Sequence, residues 1–322
     1  MHNRRKIYFR ADAGPDIGYG HYIRSLALAD MLKNDFDCKM FTQSPTEYQL
    51  RESVGICDVI AMPSDDTRFS KFIEYLVGDE IVVLDNYFYT TDYQRAIKNK
   101  GCKLVCIDDI HDKHFVADVV INQTPTTIAD LYSIEDYTKL CIGNAYAILR
   151  LAFITRDYVP NKDYSSILIA MGGSDKRDLT NLYAKLLLNN DKIKRINIII
   201  GDQYGGEIIK NDKVVYFKNV PAEKLYDFFS KSGATILPAS TMMKEALASG
   251  ANIIGGYYVD NQKEDYQYYK MNNLIYPIGN MTNSATMSQI SRLNFSPDMF
   301  DKINRITFTE VSKRFIDLFR NL

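Results

Sequence analysis

Short apolar runs rich in Ile, Val and Leu alternate with segments of helical periodicity along the whole chain. In the first half, Lys6–Arg10, Asp37–Thr42, Asp58–Ala61, Ile81–Leu84, Lys103–Ile107 and Val119–Ile121 read as strands. His21–Lys33, Ser64–Val77 and Thr91–Lys98 read as helices between them. In the second half the strands are Ser166–Met171, Arg195–Ile200, Val214–Phe217, Ala234–Leu237, Asn252–Gly255 and Leu274–Tyr276. The helices there are Asp175–Asn189, Ala222–Lys231, Thr241–Ser249 and Asp260–Met271. Apolar strands separated by helices predict parallel sheets covered on both faces. The two halves are alike in kind, so the fold class expected is α/β, with two doubly wound, Rossmann-like domains. Tyr158–Tyr164, with Pro160 and Asn161, is the linker candidate. It divides the chain into domains 1–157 and 158–322. Thr307–Leu322 carries Phe308, Val311, Phe315, Ile316, Leu318 and Phe319, the pattern of an amphipathic helix packing on one domain or bridging both.

A length of 322 residues suits two domains that each bury a core. Lys and Arg total 39 against 40 Asp and Glu, a net charge of -1, so the composition offers no reason for a nucleic-acid or acidic-membrane partner. It leaves room for a local basic pocket that takes phosphates. The basic start, Met1–Lys6, meets Arg10 and Asp12 directly after Ile7, Tyr8 and Phe9, so it lacks the apolar core of a signal peptide. No apolar run approaches the length of a membrane span. A cytoplasmic location with no membrane partner is expected. The cysteines are Cys38, Cys57, Cys102, Cys106 and Cys141, and no pair has C-x-x-C spacing. They read as small buried apolar residues in a reducing compartment, with Cys102 and Cys106 on one strand face.

Ligands of open α/β sheets bind beyond the carboxyl ends of the strands, so residues directly after strands carry the most information. Ile17-Gly18-Tyr19-Gly20-His21-Tyr22-Ile23-Arg24 follows the first strand. Its glycines allow a tight turn and close backbone approach. At the first turn of a helix, a neutral His21 facing a cleft can accept a proton as a general base, or it can simply cap and pack. Arg24 shares that face and can orient an anion or a carboxylate. The spacing is not G-x-G-x-x-G, so no dinucleotide fingerprint is present. Met171-Gly172-Gly173-Ser174-Asp175 offers backbone N–H groups and a helix start to a phosphate, or a plain capped turn. In Pro238-Ala239-Ser240-Thr241-Met242-Met243-Lys244-Glu245, Ser240 or Thr241 can cap or bind phosphate. Glu245, one turn on, can take ribose hydroxyls; it stands a residue too far along for a capping box. Asp260-Asn261-Gln262 can hold sugar hydroxyls or form a turn. Asp85-Asn86-Tyr87 and Asp108-Asp109 place acids at strand ends, either as solvated loop acids or around a metal. There is no zinc spacing and no P-loop.

In order along the chain, these segments resemble the pseudaminic acid pathway hydrolase family. Arg10-Ala11-Asp12, then Ile17-Gly18-Tyr19-Gly20-His21 and Arg24, is similar to its N-terminal signature. Met171–Asp175 resembles its M-G-G-[ST]-D loop. Ser240 through Glu245-Ala246-Leu247 and Asn261-Gln262 resemble its S-S/T-x-x-x-E-A-L and N-Q elements. Asp85-Asn86-Tyr87 resembles D-x-Y. The similarity runs from about Ile7 to about Met271. Those enzymes cleave UDP-2,4-diacetamido-2,4,6-trideoxy-β-L-altropyranose to the free sugar and UDP, and are similar to two-domain GT-B glycosyltransferases.

The resemblance implies a GT-B-like fold with an interdomain cleft, UDP on the C-terminal domain and the sugar facing His21. It implies His21 as catalytic, supported by Tyr87 and Asn261. Asp12, Gly18, Gly20, Arg24, Gly172, Gly173, Ser174, Ser240, Thr241, Glu245 and Gln262 are the substrate-binding residues it suggests, with Glu245 on the ribose. Water positioned by His21 would attack the anomeric carbon with inversion, with no cofactor and no metal. The alternative is a GT-B glycosyltransferase using a UDP-sugar donor, in which an acceptor hydroxyl replaces water.

Overall fold

The computed structural model describes residues 4–14, 17–156, 161–172, 175–201 and 203–322. They form two compact units: Met1–Leu151 with Thr309–Leu322, and Ala152–Phe308. The expected boundary at 157/158 therefore lies six residues further along the chain than this division, and the last helix is counted with unit 1. Pro160 and residues 158–159 of the expected linker lie outside the described residues, and Tyr164 is already in a strand.

Unit 1 contains β1 (Lys6–Arg10), α1 (Gly20–Leu32), β2 (Asp37–Gln43), α2 (Glu47–Ser53), β3 (Asp58–Met62), α3 (Thr67–Glu74), β4 (Ile81–Leu84) and α4 (Thr91–Asn99). β5 (Lys103–Ile107), β6 (His114–Phe115), β7 (Val119–Asn122), β8 (Ser133–Ile134) and β9 (Lys139–Ile142) follow. Seven strands form one parallel sheet in the order β3-β2-β1-β4-β5-β7-β9, and β6 pairs with β8 apart from it. All four residues of β4, Ile-Val-Val-Leu, are buried. That is how a central parallel strand covered on both faces reads. Tyr8, Phe41, Phe72, Val82, Leu104 and Val120 lie in one core cluster, and Cys102 and Cys106 share it.

Unit 2 contains β10 (Asp163–Ile169), α5 (Leu179–Leu188), β11 (Arg195–Ile200), β12 (Val214–Lys218), α6 (Ala222–Lys231), β13 (Ser232–Pro238) and α7 (Thr241–Ala248). β14 (Ile253–Tyr257), α8 (Lys263–Met271), β15 (Tyr276–Asn280) and α9 (Ser284–Ser291) complete it. Its sheet is also parallel, ordered β12-β11-β10-β13-β14-β15. Ile167, Ile169, Tyr183, Ile198, Ile236 and Ile254 belong to its core. The final helix, α10 (Val311–Arg320), packs on α1 of unit 1. Phe315 and Phe319 are fully buried there, and the Phe319 ring meets that of Phe36 edge-on at 6.3 Å.

The order of strand connection reverses between β1 and β4 in unit 1, and between β10 and β13 in unit 2. At such a reversal, neighbouring loops part at the carboxyl end of the sheet and open a crevice. Among the described residues no helix is long and apolar enough to cross a membrane, and all five cysteines are free.

Candidate functional site

In unit 1 the loop after β1 leads into α1. Gly18 has φ +84, a conformation that favours glycine, and it exchanges backbone hydrogen bonds with Gly14. Gly20 opens α1, and His21 is its second residue. Tyr19 at the N-cap gives no side-chain cap, and the first turn holds no acid. His21 is therefore placed by the helix start and held from the neighbouring strand. Asp85, the first residue after β4, is fully buried and lies with Oδ1 2.8 Å from His21 Nδ1.

Arg24, one turn along α1, closes on the same carboxylate. Its Nε donates to Asp85 Oδ2 at 3.0 Å and its Nη2 to Oδ1 at 2.6 Å. Ser25 Oγ donates to Oδ2 at 3.1 Å. Arg24 Nη1 reaches both oxygens of Asp109, after β5, at 2.8 Å each. Tyr87 OH donates to Asp109 Oδ2 at 3.3 Å, and its ring stands edge-on to His21 with centroids 4.7 Å apart. Arg24 Nη2 also lies 3.3 Å from His21 Nδ1. The shorter distance to Asp85 assigns the proton to Nδ1, which donates to the carboxylate and leaves Nε2 with its lone pair.

Burial by itself would push the Asp85 carboxyl up. The Arg24 charge and the His21 and Arg24 hydrogen bonds outweigh it, and the carboxyl sits below its usual range. Burial works against the Arg24 charge too, but Asp85 and Asp109 hold the guanidinium firmly protonated. Burial, then the Asp109 carboxylate, pushes the Tyr87 phenol up to about 12. It stays a neutral donor. Burial raises Asp108, whose Oδ2 accepts from the backbone N–H of Ile110 and His111 and from Tyr132 OH. The three strand-end acids are thus held by arginine, histidine, tyrosine and backbone. Among the described residues no group of three His, Cys, Asp or Glu side chains is arranged to hold a metal ion.

Asp12, expected at the substrate, has a different place. It is fully buried, and Arg10, itself fully buried, binds both its oxygens. Gln43 N–H donates to Oδ1 at 2.8 Å, and Arg68 Nε lies 3.3 Å from Oδ2. The Asn86 amide pairs with the Asp12 backbone in both directions, at 2.7 and 3.1 Å. Asp12 has no surface to offer a ligand and instead ties the ends of β1, β2 and β4 together.

In unit 2, Gly172 follows β10 with φ +104, while Gly173 and Ser174 lie outside the described residues. The helix expected from Asp175 starts at Leu179. Its N-cap residue, Asp178, makes no side-chain cap bond; Asp175, three residues earlier, closes the first turn instead, with Oδ1 accepting Leu179 N–H at 3.1 Å and Oδ2 accepting Thr180 N–H at 2.7 Å. The anion at the start of α5 is therefore the protein's own. Across the strand reversal, Ser240 is the N-cap residue of α7, but its hydroxyl makes no cap bond and the first turn holds no acid. Thr241 is exposed there, and Glu245 lies half-buried one turn in.

Asn261 is exposed in a short 3₁₀ turn after β14. Gln262, expected at the substrate, is buried, and its Oε1 accepts Tyr258 N–H at 3.0 Å. Its amide oxygen holds the loop backbone. Tyr258 OH in turn reaches Met171 O at 3.5 Å, beside Gly172. Sequence reasoning noted Asp85 and Asp109 as strand-end acids and as parts of the D-x-Y and paired-acid elements of the resemblance; their hold on His21, Arg24 and Tyr87 comes from β4 lying beside β1 and β5 beside β4.

The sequence matches no family model. Over 272 residues it is 25% identical to the UDP-2,4-diacetamido-2,4,6-trideoxy-beta-L-altropyranose hydrolase of Campylobacter jejuni, covering 80% of this chain and 93% of that protein. Over 284 residues it is 28% identical to an uncharacterised protein of Methanocaldococcus jannaschii, covering 82% of this chain but only 58% of that protein, so the match spans little more than half of that relative. Among solved structures, Acinetobacter baumannii MurG superposes with a TM-score of 0.61 at 14% identity, covering 99% of this chain and 100% of that one. The chain resembles the hydrolase in sequence over four fifths of its length and has the two-domain α/β fold of the GT-B glycosyltransferases.

Proposed function

We propose that the protein is a UDP-sugar hydrolase. In this reading it cleaves the anomeric C–O bond of a UDP-linked 2,4-diacetamido-2,4,6-trideoxyhexose, on the way to a nonulosonic acid such as pseudaminic acid. The observation that carries the chemistry is the 2.8 Å contact from His21 Nδ1 to buried Asp85. It orients the imidazole and leaves Nε2 to take a proton from water. The similarity to the Campylobacter jejuni hydrolase supports the choice of substrate.

Water activated by His21 attacks the anomeric carbon from the face opposite UDP, so the configuration inverts. Tyr87, a neutral phenol beside His21, holds the sugar or the water, and Asn261 supports the sugar. The diphosphate rests on Gly172 and the start of α7 at Ser240 and Thr241, where no side chain caps the turn and the helix dipole favours an anion. Glu245 accepts the ribose hydroxyls. The acids of unit 1 are committed to Arg24, His21, Tyr87 and backbone N–H groups, so the scheme asks no divalent cation of them.

The test is incubation with a panel of UDP-diacetamido-trideoxyhexoses in oxygen-18 water with no acceptor. UDP should appear, label should enter the free sugar at its anomeric position, and EDTA should not stop turnover. UMP and sugar phosphate as products, or label in UDP, would overturn both the bond assignment and the role of His21. One observation favours a transferase: Ile17, Phe88 and Ile110 are more than a third exposed on loops after β1, β4 and β5, apolar surface that an acceptor would cover. Release of UDP only when an acceptor is added would decide for it.

A further inference from the structure

We infer that Asp109 is a positioning residue that holds His21 in its working orientation; the kinetic part of this inference rests on the hydrolytic reading above. Five side chains, two from helix α1 and three from the loops after β4 and β5, form a closed circuit. His21 joins Asp85 at 2.8 Å, and Asp85 joins Arg24 at 2.6 and 3.0 Å. Arg24 joins Asp109 at 2.8 Å twice, Asp109 joins Tyr87 at 3.3 Å, and the Tyr87 ring returns to His21 at 4.7 Å. Asp109 is the member that binds both Arg24 and Tyr87, the two neighbours on either side of the His21–Asp85 pair. Without it, Arg24 loses the partner that fixes Nη1 and so the guanidinium whose Nη2 lies 3.3 Å from the imidazole, and Tyr87 loses the bond that keeps its ring against His21.

Charge points the same way. Within the circuit two carboxylates face one guanidinium, so one negative charge is left over while His21 is neutral. A proton arriving on His21 brings the circuit to neutrality. Where burial weakens the screening of charges, that surplus is a fixed stabiliser of the imidazolium that forms as water is deprotonated. Asp109 supplies it from a position one residue removed from the reacting group. Its side chain is a quarter exposed, so it bears this charge at a lower desolvation cost than fully buried Asp85.

The experiment compares the whole protein with Asp109→Asn and Asp109→Glu. Ring-nitrogen NMR without substrate reads the tautomer of His21, assigned by its loss in His21→Asn. The wild type should show the Nδ1-protonated form, and Asp109→Asn a mixture of tautomers. With UDP-sugar, Asp109→Asn should lower kcat by about tenfold to a hundredfold, the scale of a slightly misplaced catalytic group, with KM little changed. Asp109→Glu should restore most of the rate. A wild-type tautomer pattern in Asp109→Asn, or an unchanged kcat, overturns the inference. If Asp109→Asn does not fold, Tyr87→Phe removes the Asp109–hydroxyl bond, and a wild-type tautomer pattern there, read without substrate, overturns it equally. If the wild type releases no UDP from any UDP-sugar, the hydrolytic reading fails, while the NMR comparison still tests Asp109.

Discussion

His21 and Asp85 meet through a single short contact. The buried carboxylate, 2.8 Å away, favours the tautomer with its proton on Nδ1. Replacing His21 by Ala or Asn should lower kcat by at least ~100-fold, the low end for loss of a general base. UDP binding should hardly change, because in the proposed scheme UDP rests on unit 2. Turnover near the wild-type rate in His21→Ala would remove it from the mechanism. Glu245→Ala should weaken UDP by about 1.5–3 kcal/mol, as expected for hydrogen bonds to a charged group. An unchanged titration would take Glu245 out of the site. Asp85 also carries a pH signature. Its carboxyl is held below the usual range when folded, so it stabilises the fold above its unfolded value, near ~3.9, and loses that contribution as pH falls through the folded value. Urea midpoints measured at about pH 6 and about pH 3 should fall further in the wild type than in Asp85→Asn. Equal falls would show that another group is responsible.

At the level of elements, the two strand reversals use the same device with different fillings. Each brings two loops to the carboxyl end of a parallel sheet beside a helix start. In unit 2 the start of α5 is filled by Asp175, which sits at φ 34 and accepts two backbone N–H groups, whereas the start of α7 has no such side chain. A carboxylate already bound to the first turn competes with any phosphate for it, so α7 is the better place for the diphosphate. Asp175→Ala should lower stability by about 0.5–2 kcal/mol, the ordinary cost of a lost N-cap, and Asp175→Asn by less. Equal denaturation midpoints for Asp175→Ala and the wild type would contradict the capping role. Elsewhere Thr46 and Gln49 form a reciprocal capping box at α2. The helix it starts has seven residues and reads as polar loop, so periodicity did not mark it.

At the scale of the molecule, unit 1 is completed by residues far from it in sequence. α10 buries Phe315 and Phe319 against it, Arg314 Nη1 donates to Ala145 O at 2.5 Å, and Arg320 pairs with Asp35. Phe315→Ala should cost about 3–5 kcal/mol, the range for emptying a buried aromatic site, read as a shift in urea midpoint. A midpoint within error of the wild type would show that α10 adds little to unit 1.

The sequence by itself determined the parallel α/β class and most strand positions, because β-branched apolar runs buried on both faces carry their own signature. β1, β4, β5 and β11 match the expected bounds residue for residue. It also brought His21, Tyr87, Ser240 and Glu245 into view, since each lies in the loop or the helix start that follows a strand. β9, with exposed Lys139 at its start, and α9, with three serines, lacked that contrast and were not expected. What tertiary structure alone decided is which strand lies beside which. That order sets Asp85 against His21 across 64 positions and Arg24 against Asp109 across 85, and it buries Asp12 behind Arg10 and Arg68. A residue's chemistry is local, but its partner is chosen by strand order, and strand order depends on how the whole hydrophobic surface of the sheet is covered.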